Sequence, residues 1–296
     1  MPGFIQPVIT RYTGIPYAEP PTGQLRFAKP VPRAPWSDVL NATDFGPSCP
    51  QIPVGAASLF DQLFPNMNFS EDCLVLNVYV PHDAVASSGP LPVMIYIHGG
   101  GLTNGRGDLY DGTLLAVQGQ VIVVNFNYRL GLFGFLSTGD DAAPGNYGLW
   151  DQRLAIQWVK DNIADFGGDP NQITIFGQSA GGWSVTYQMI SPLNDNNLFQ
   201  RVIAQSGAAF HGQIISGISA QREVLNLASA LGCDSPYESS SRTVISCLRE
   251  SSMQDLLRHS DLFKTAPTID GEFLTTDINS LLSHPRVGQY DLLLGV

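Results

Sequence analysis

With 296 residues, 44% of them apolar and only 14% charged, the chain can fill a large core, and its surface must lean on Ser, Asn, Gln and Gly. The 26 acidic residues outnumber the 15 basic ones, and the net charge of -11 repels phosphates and excludes nucleic acid as a partner. No uninterrupted apolar run is long enough to span a bilayer, so no membrane segment is expected.

The opening Met-Pro-Gly-Phe-Ile-Gln-Pro has neither a basic stretch nor an apolar one, so no secretory signal is visible. Residues 1 to 53 are rich in Pro and Gly and predict extended segments and turns. Leu74 to Val80 alternates as a strand does, and Pro92 to His98 is a nearly all-apolar strand that runs into Gly99-Gly100-Gly101. Val121 to Asn127 is a third. Asn146 to Phe166 carries helical periodicity and stops at Gly167-Gly168-Asp169-Pro170. Ile173 to Phe176 is a fourth strand, Trp183 to Ile190 a helix-compatible stretch, and Arg201 to Gln205 a fifth strand. After Gly207 the texture changes. Residues 211 to 290 predict short helices rich in Ser and Leu, such as Ala220 to Leu231 and Ser251 to His259, and read as a cap-like insertion over the sheet's catalytic edge. Tyr290 to Val296 has the composition of one more core strand. Buried apolar strands alternating with helices predict an α/β fold, a mostly parallel sheet with helices on both faces.

The four cysteines fall into two local pairs, Cys49 with Cys73 and Cys233 with Cys247, each able to close a short loop; four buried thiols are the other reading. Asn41-Ala42-Thr43 and Asn68-Phe69-Ser70 are glycosylation acceptors. Bridges and sequons need the same oxidising compartment, so a secreted or ER-lumenal protein is expected, its signal peptide upstream of Met1.

The chemistry centres on Gly177-Gln178-Ser179-Ala180-Gly181, set between an apolar strand and a helix. That context turns a weak five-residue pattern into a nucleophile elbow, with the Ser179 hydroxyl raised on a strained turn. A serine also needs donors for the developing oxyanion. Gly100 and Gly101, at a strand end, together with the N–H of Ala180, can supply three; neither the Walker nor the Rossmann spacing fits the glycines as a phosphate cradle. The base is harder to find. In the order Ser, Asp/Glu, His, the histidine comes last, yet His82 and His98 precede the elbow. His211, with Phe210, follows the fifth strand and reads as a pocket wall, while His259 and His284 fall in the inserted region. The chain therefore reads as lacking its own triad. This chemistry calls for no metal or cofactor.

These residues resemble the type-B carboxylesterase/cholinesterase family, which also holds the non-enzymatic neuroligins. The matching stretches include Gly14 to Pro21, Leu25-Arg26-Phe27, Ser70 to Asn77, Gly99 to Gly101, Asn127-Tyr128-Arg129, Gly148 to Gln152, Phe166 to Pro170, and the elbow through Gln205-Ser206-Gly207. The resemblance implies an α/β-hydrolase fold, Ser179 as acyl-enzyme nucleophile, a small carboxylic ester as substrate, disulfides Cys49–Cys73 and Cys233–Cys247, and an Arg26–Glu71 ion pair. It also implies an N-terminal portion of a longer domain, with the catalytic Glu and His beyond residue 296. Gln178 stands where the family usually has Glu, as in insect juvenile hormone esterases, and Leu63 where cholinesterases stack a tryptophan on choline. Both changes weaken a cation site and argue against a cholinesterase. A neuroligin-like adhesion ectodomain is the alternative, which the intact elbow disfavours because binding needs no nucleophile.

Overall fold

The computed structural model describes residues 9–52, 68–81, 89–194, 197–211, 214–233 and 240–296. Its strands are β1 (Ile9–Pro16), β2 (Val75–Pro81), β3 (Leu91–Ile97), β4 (Ile122–Phe126), β5 (Gly168–Gln178), β6 (Arg201–Gln205) and β7 (Asp291–Gly295). They form one sheet in the order β1-β2-β4-β3-β5-β6-β7. β1 and β2 pair antiparallel, as do β2 and β4, and every pairing from β4 through β3 to β7 is parallel. The sheet is thus mostly parallel, as expected, with an antiparallel edge that includes one strand, β1, from the stretch read as extended segments and turns.

The helices that frame the sheet are α1 (Thr113–Gly119), α2 (Gly131–Phe135), α3 (Tyr147–Asn162) and α4 (Ala180–Ile190). The chain leaves β3 for its neighbour β4 by way of α1, and leaves β5 for its neighbour β6 by way of α4. Those two crossovers run in opposite directions across the sheet. Because such crossovers are right-handed, α1 and α4 cover opposite faces. The reversal falls between β3 and β5, and the crevice beyond their carboxyl ends is where such sheets bind ligands. Between the layers, Val93, Ile95 and Ile97 of β3 meet Ile173 and Ile175 of β5, all inaccessible to solvent.

Beyond β6 the described chain is helical: α5 (Gly217–Ala230), α6 (Ser241–Glu250), α7 (Met253–Arg258) and α8 (Ile278–Leu282), before β7. The serines here have a local purpose. Ser216, Ser240 and Ser252, with Asp277, each accept a hydrogen bond from a backbone N–H in the first turn of the helix they precede. The disulfide Cys233–Cys247 ties the end of α5 to α6, and Cys49–Cys73 closes the segment before β2.

Arg26 pairs with Glu71 through two bonds of 2.7 and 2.5 Å. Its remaining nitrogen donates to the carbonyls of Leu248, Arg249 and Ser251, so the same guanidinium caps the carboxyl end of α6. A second, deeper pair was not anticipated. Arg129 grips Asp151 of α3 through Nε and Nη2 at 2.8 and 2.7 Å, and its backbone N–H adds a third bond at 3.0 Å. β7 pairs with β6, and in this 296-residue chain Leu292, Leu293 and Leu294 are 42%, 61% and 50% exposed.

Candidate active site

Ser179 is the hinge between β5 and α4, with φ 57° and ψ -123°, a backbone state that costs a non-glycine residue about 1–3 kcal/mol. The surroundings hold it there. Its N–H donates to the carbonyl of Gln205 at 2.9 Å, and its carbonyl accepts from Trp183 at 3.0 Å. The turn can be this tight because Gly181 has no side chain: a Cβ there would lie 2.0 Å from the carbonyl oxygen of Ile97 on β3. The elbow is therefore pressed against the strand that carries the glycine loop.

That loop begins as β3 ends. A Cβ on Gly99 would sit 3.2 Å from the Cβ of Ser179, which measures how closely loop and nucleophile approach. Gly100 has φ 109°, and the loop folds back so far that a Cβ on it would fall 2.0 Å from the Asn104 carbonyl oxygen. The N–H groups of Thr103 and Asn104 both close on the Gly100 carbonyl, at 3.0 and 3.1 Å. The N–H groups of Gly100 and Gly101 have no acceptor among the described residues. That of Ala180 opens α4, where the first turn's donors are left over and the helix dipole is positive.

Residues that the sequence did not single out hold the loop. Gln51 accepts from the N–H of Gly105 at 2.8 Å, and its Nε2 donates to the carbonyls of Gly105 and Cys49 at 2.9 and 3.0 Å. The Tyr128 hydroxyl donates to the His98 carbonyl at 2.8 Å, and the two rings stack at 4.3 Å. His98 Nδ1 lies 2.8 Å from the Gly99 carbonyl, so Nδ1 carries the proton. Burial depresses the His98 pKa to about 4, and the imidazole is neutral. No local sequence signal marks Gln51, because its partner lies 54 residues away.

The expected pocket residues scatter. Gln178 is exposed beside the elbow. Phe210 lines a cavity of about 340 Å³ with Ile214, Ile269 and Ile278. Leu63, His82 and the side chain of His211 lie outside the described residues. A separate cavity of about 350 Å³ borders the glycine loop at Thr103 and Asn104, walled by Leu130, Phe133, Leu257 and Phe263. No described histidine bonds to Ser179: His98 is committed to its loop, His259 to the Asp255 carbonyl at 2.9 Å, and His284 to the N–H of Arg286 at 3.3 Å. Asn41 and Asn68 are both exposed. Among the described residues no cluster of His, Cys, Asp and Glu is placed to hold a metal ion, and no helix is long and apolar enough to cross a membrane.

Comparison with known proteins follows the same lines. A family model described as "Carboxylesterase family" matches residues 4–296. Carboxylesterase 1D of Rattus norvegicus is 46% identical over 272 residues, covering 88% of this chain and 46% of that protein. Liver carboxylesterase of Sus scrofa is 44% identical over 293 residues, covering 96% and 49%. Liver carboxylesterase 1 of Oryctolagus cuniculus is 42% identical over 294 residues, covering 95% and 50%. The chain spans about half the length of these relatives.

Proposed function

The chain belongs to the carboxylesterase family, and on that premise we propose that its protein is a serine carboxylic ester hydrolase acting on neutral esters. The observation that carries the reading is Ser179 on its strained turn with the Gly99–Gly101 loop pressed alongside. The Ser179 oxygen attacks the ester carbonyl carbon and its proton passes to a general base. The carbonyl π pair moves onto oxygen, which the N–H groups of Gly100, Gly101 and Ala180 receive. Collapse expels the alcohol, which takes up the proton, and water then releases the acid by the same steps. No described histidine reaches Ser179, and we assign the base role to none of them.

The cavity beside Thr103 and Asn104, with Leu130, Leu132, Phe133, Leu257 and Phe263 on its walls and Asp261 as its one charged lining residue, supports an ester with an apolar group, and no charged residue occupies the elbow, where Gln178 precedes the nucleophile. The helices from α5 to α8 act as a cap on the one hydrolase domain; that α7 and Phe263 wall this cavity supports that role. The paired cysteines and the exposed Asn41 and Asn68 favour an ER-lumenal or secreted glycoprotein. Digestion with an N-glycosidase should then lower the protein's mass.

The direct test compares p-nitrophenyl butyrate turnover by the full-length protein and by Ser179→Ala. A fall of about 10,000-fold or more is expected, with loss of fluorophosphonate labelling. Equal rates would remove the ester reading, and a labelling-negative protein that captures a cell-surface partner would favour the neuroligin-like one.

A further inference from the structure

A groove of about 640 Å³ opens along β1, four strands from β5, which carries Ser179 at its end. One wall is β1, with Tyr12 and Ile15. The other is the last turn of α3 and the short 3-10 turn after it, Ile163–Phe166, with Trp158 and Phe166. The segment bearing Pro35 and Trp36 forms the lip. Tyr12 meets Phe166 edge to face at 5.0 Å, and Trp158 lies 6.1 Å from the same ring, so the aromatic walls brace one another. Trp36 remains 46% exposed on the lip.

The carboxylates dominate the charge on the rim. Asp161 and Asp165 are exposed and four residues apart, at the end of α3 and in the following turn. Gln157 donates to Asp161 at 2.8 Å, which orients the carboxylate without neutralising it. Among the described residues, Arg33 is the one cationic residue on the lining, and Glu19 holds it at 2.7 Å. Lys160, adjacent in sequence, turns away to the Pro170 carbonyl at 2.7 Å. The chain's charge of -11 adds long-range attraction for a cation.

The volume lies in the range of small-molecule sites. Aromatic faces attract organic cations through their quadrupoles, and unneutralised carboxylates at the mouth favour the same charge. We propose that this groove is a second ligand site, for an amphipathic organic cation: an ammonium group at the Asp161–Asp165 rim with its apolar body against Tyr12, Trp158 and Phe166. It is separate from the elbow. No elbow residue lines the groove, and its β1 wall lies four strand spacings from β5, about 19 Å. The inference does not rest on the ester reading.

The test titrates the full-length protein with benzyltrimethylammonium, followed by intrinsic tryptophan fluorescence and by calorimetry. Saturable binding is expected, with neopentylbenzene, its neutral isostere, binding about fivefold or more weakly. Asp161→Asn with Asp165→Asn should weaken the ammonium by about fivefold or more, at unchanged melting temperature. Trp158→Leu should weaken both ligands. Ser179→Ala and fluorophosphonate-blocked protein should bind as well as the parent, which separates this site from any failure of the ester reading. Equal affinity for the isostere, indifference to the double Asp substitution, or loss of binding on blocking Ser179 would each overturn the proposal.

Discussion

β5 and β7 are both apolar strands paired in parallel with β6, yet Ile173 and Ile175 on β5 are fully buried while Leu293 on β7 is 61% exposed. Pairing fixes a strand's position; burial needs a layer on each face. β5 has α4 packed on it and β3 beside it, and the elbow is built on that supported strand. Among the described residues, β7 reaches the site through main chain. The N–H of Ser206 donates to the Gly295 carbonyl at 2.7 Å, one residue from the Gln205 carbonyl that holds Ser179. The sheet's centre should therefore be costly to alter and its edge cheap.

The largest effect is expected at Asp151. Removing its carboxylate leaves the Arg129 guanidinium, 3% exposed, without its counter-charge, and breaking such a buried pair costs about 3–5 kcal/mol. Urea unfolding of Asp151→Ala should show a correspondingly lower midpoint. A midpoint close to the parent's would mean that burial, not pairing, organises the centre.

His98 gives the same contrast a pH signature. Its folded pKa, about 4 through burial, lies below the ordinary 6.5, so between those values the unfolded chain binds a proton that the folded chain does not. The stabilising contribution is complete above pH 6.5 and is lost as the pH falls toward 4, a total of about 3 kcal/mol. Stability of the parent should drop over that window more steeply than that of His98→Asn. Parallel curves would sink the assignment of a buried neutral imidazole.

Gly181→Ala tests the contact between elbow and β3. The new Cβ would meet the Ile97 carbonyl, and both partners are main chain, so overpacking of about 1–3 kcal/mol is expected, together with loss of esterase activity. Retained activity would show that the elbow can stand off from β3.

These centre residues differ in how far the sequence reveals them. The elbow and the glycine loop are legible because each is local: a strand, a tight turn and a helix in one run of residues, with glycine where no side chain fits. Local spacing suggested the two cysteine pairs but left free thiols open, and resemblance to a family was needed to commit to them and to the Arg26–Glu71 pair. The Arg129–Asp151 pair was not, although both residues stand in matched stretches, because nothing in the spacing says that the end of β4 meets the start of α3. β1 was hidden by Pro and Gly; its register with β2 shifts near Gly14, whose N–H is held by the Asn77 side chain at 2.9 Å. β7 was legible as an apolar strand from its leucines, and it pairs as one with β6; composition states what a strand could bury, not whether a layer covers it.

The smallest effect is therefore expected there. In the 296-residue chain, Leu293→Thr removes a methyl-rich side chain that is already mostly in water and substitutes a good strand former. Stability should change by less than about 0.5 kcal/mol, while aggregation falls, since an apolar edge strand is a template for further pairing. Light scattering at rising concentration measures the second effect and urea unfolding the first. A loss of about 2 kcal/mol would mean that Leu293 is buried against another part of the protein, and the contrast between centre and edge would then have to be withdrawn. A neutral result would leave the Ser206–Gly295 hydrogen bond as the link through which β7 reaches the nucleophile, and Leu293→Thr should then leave ester turnover unchanged in any longer chain that carries the base.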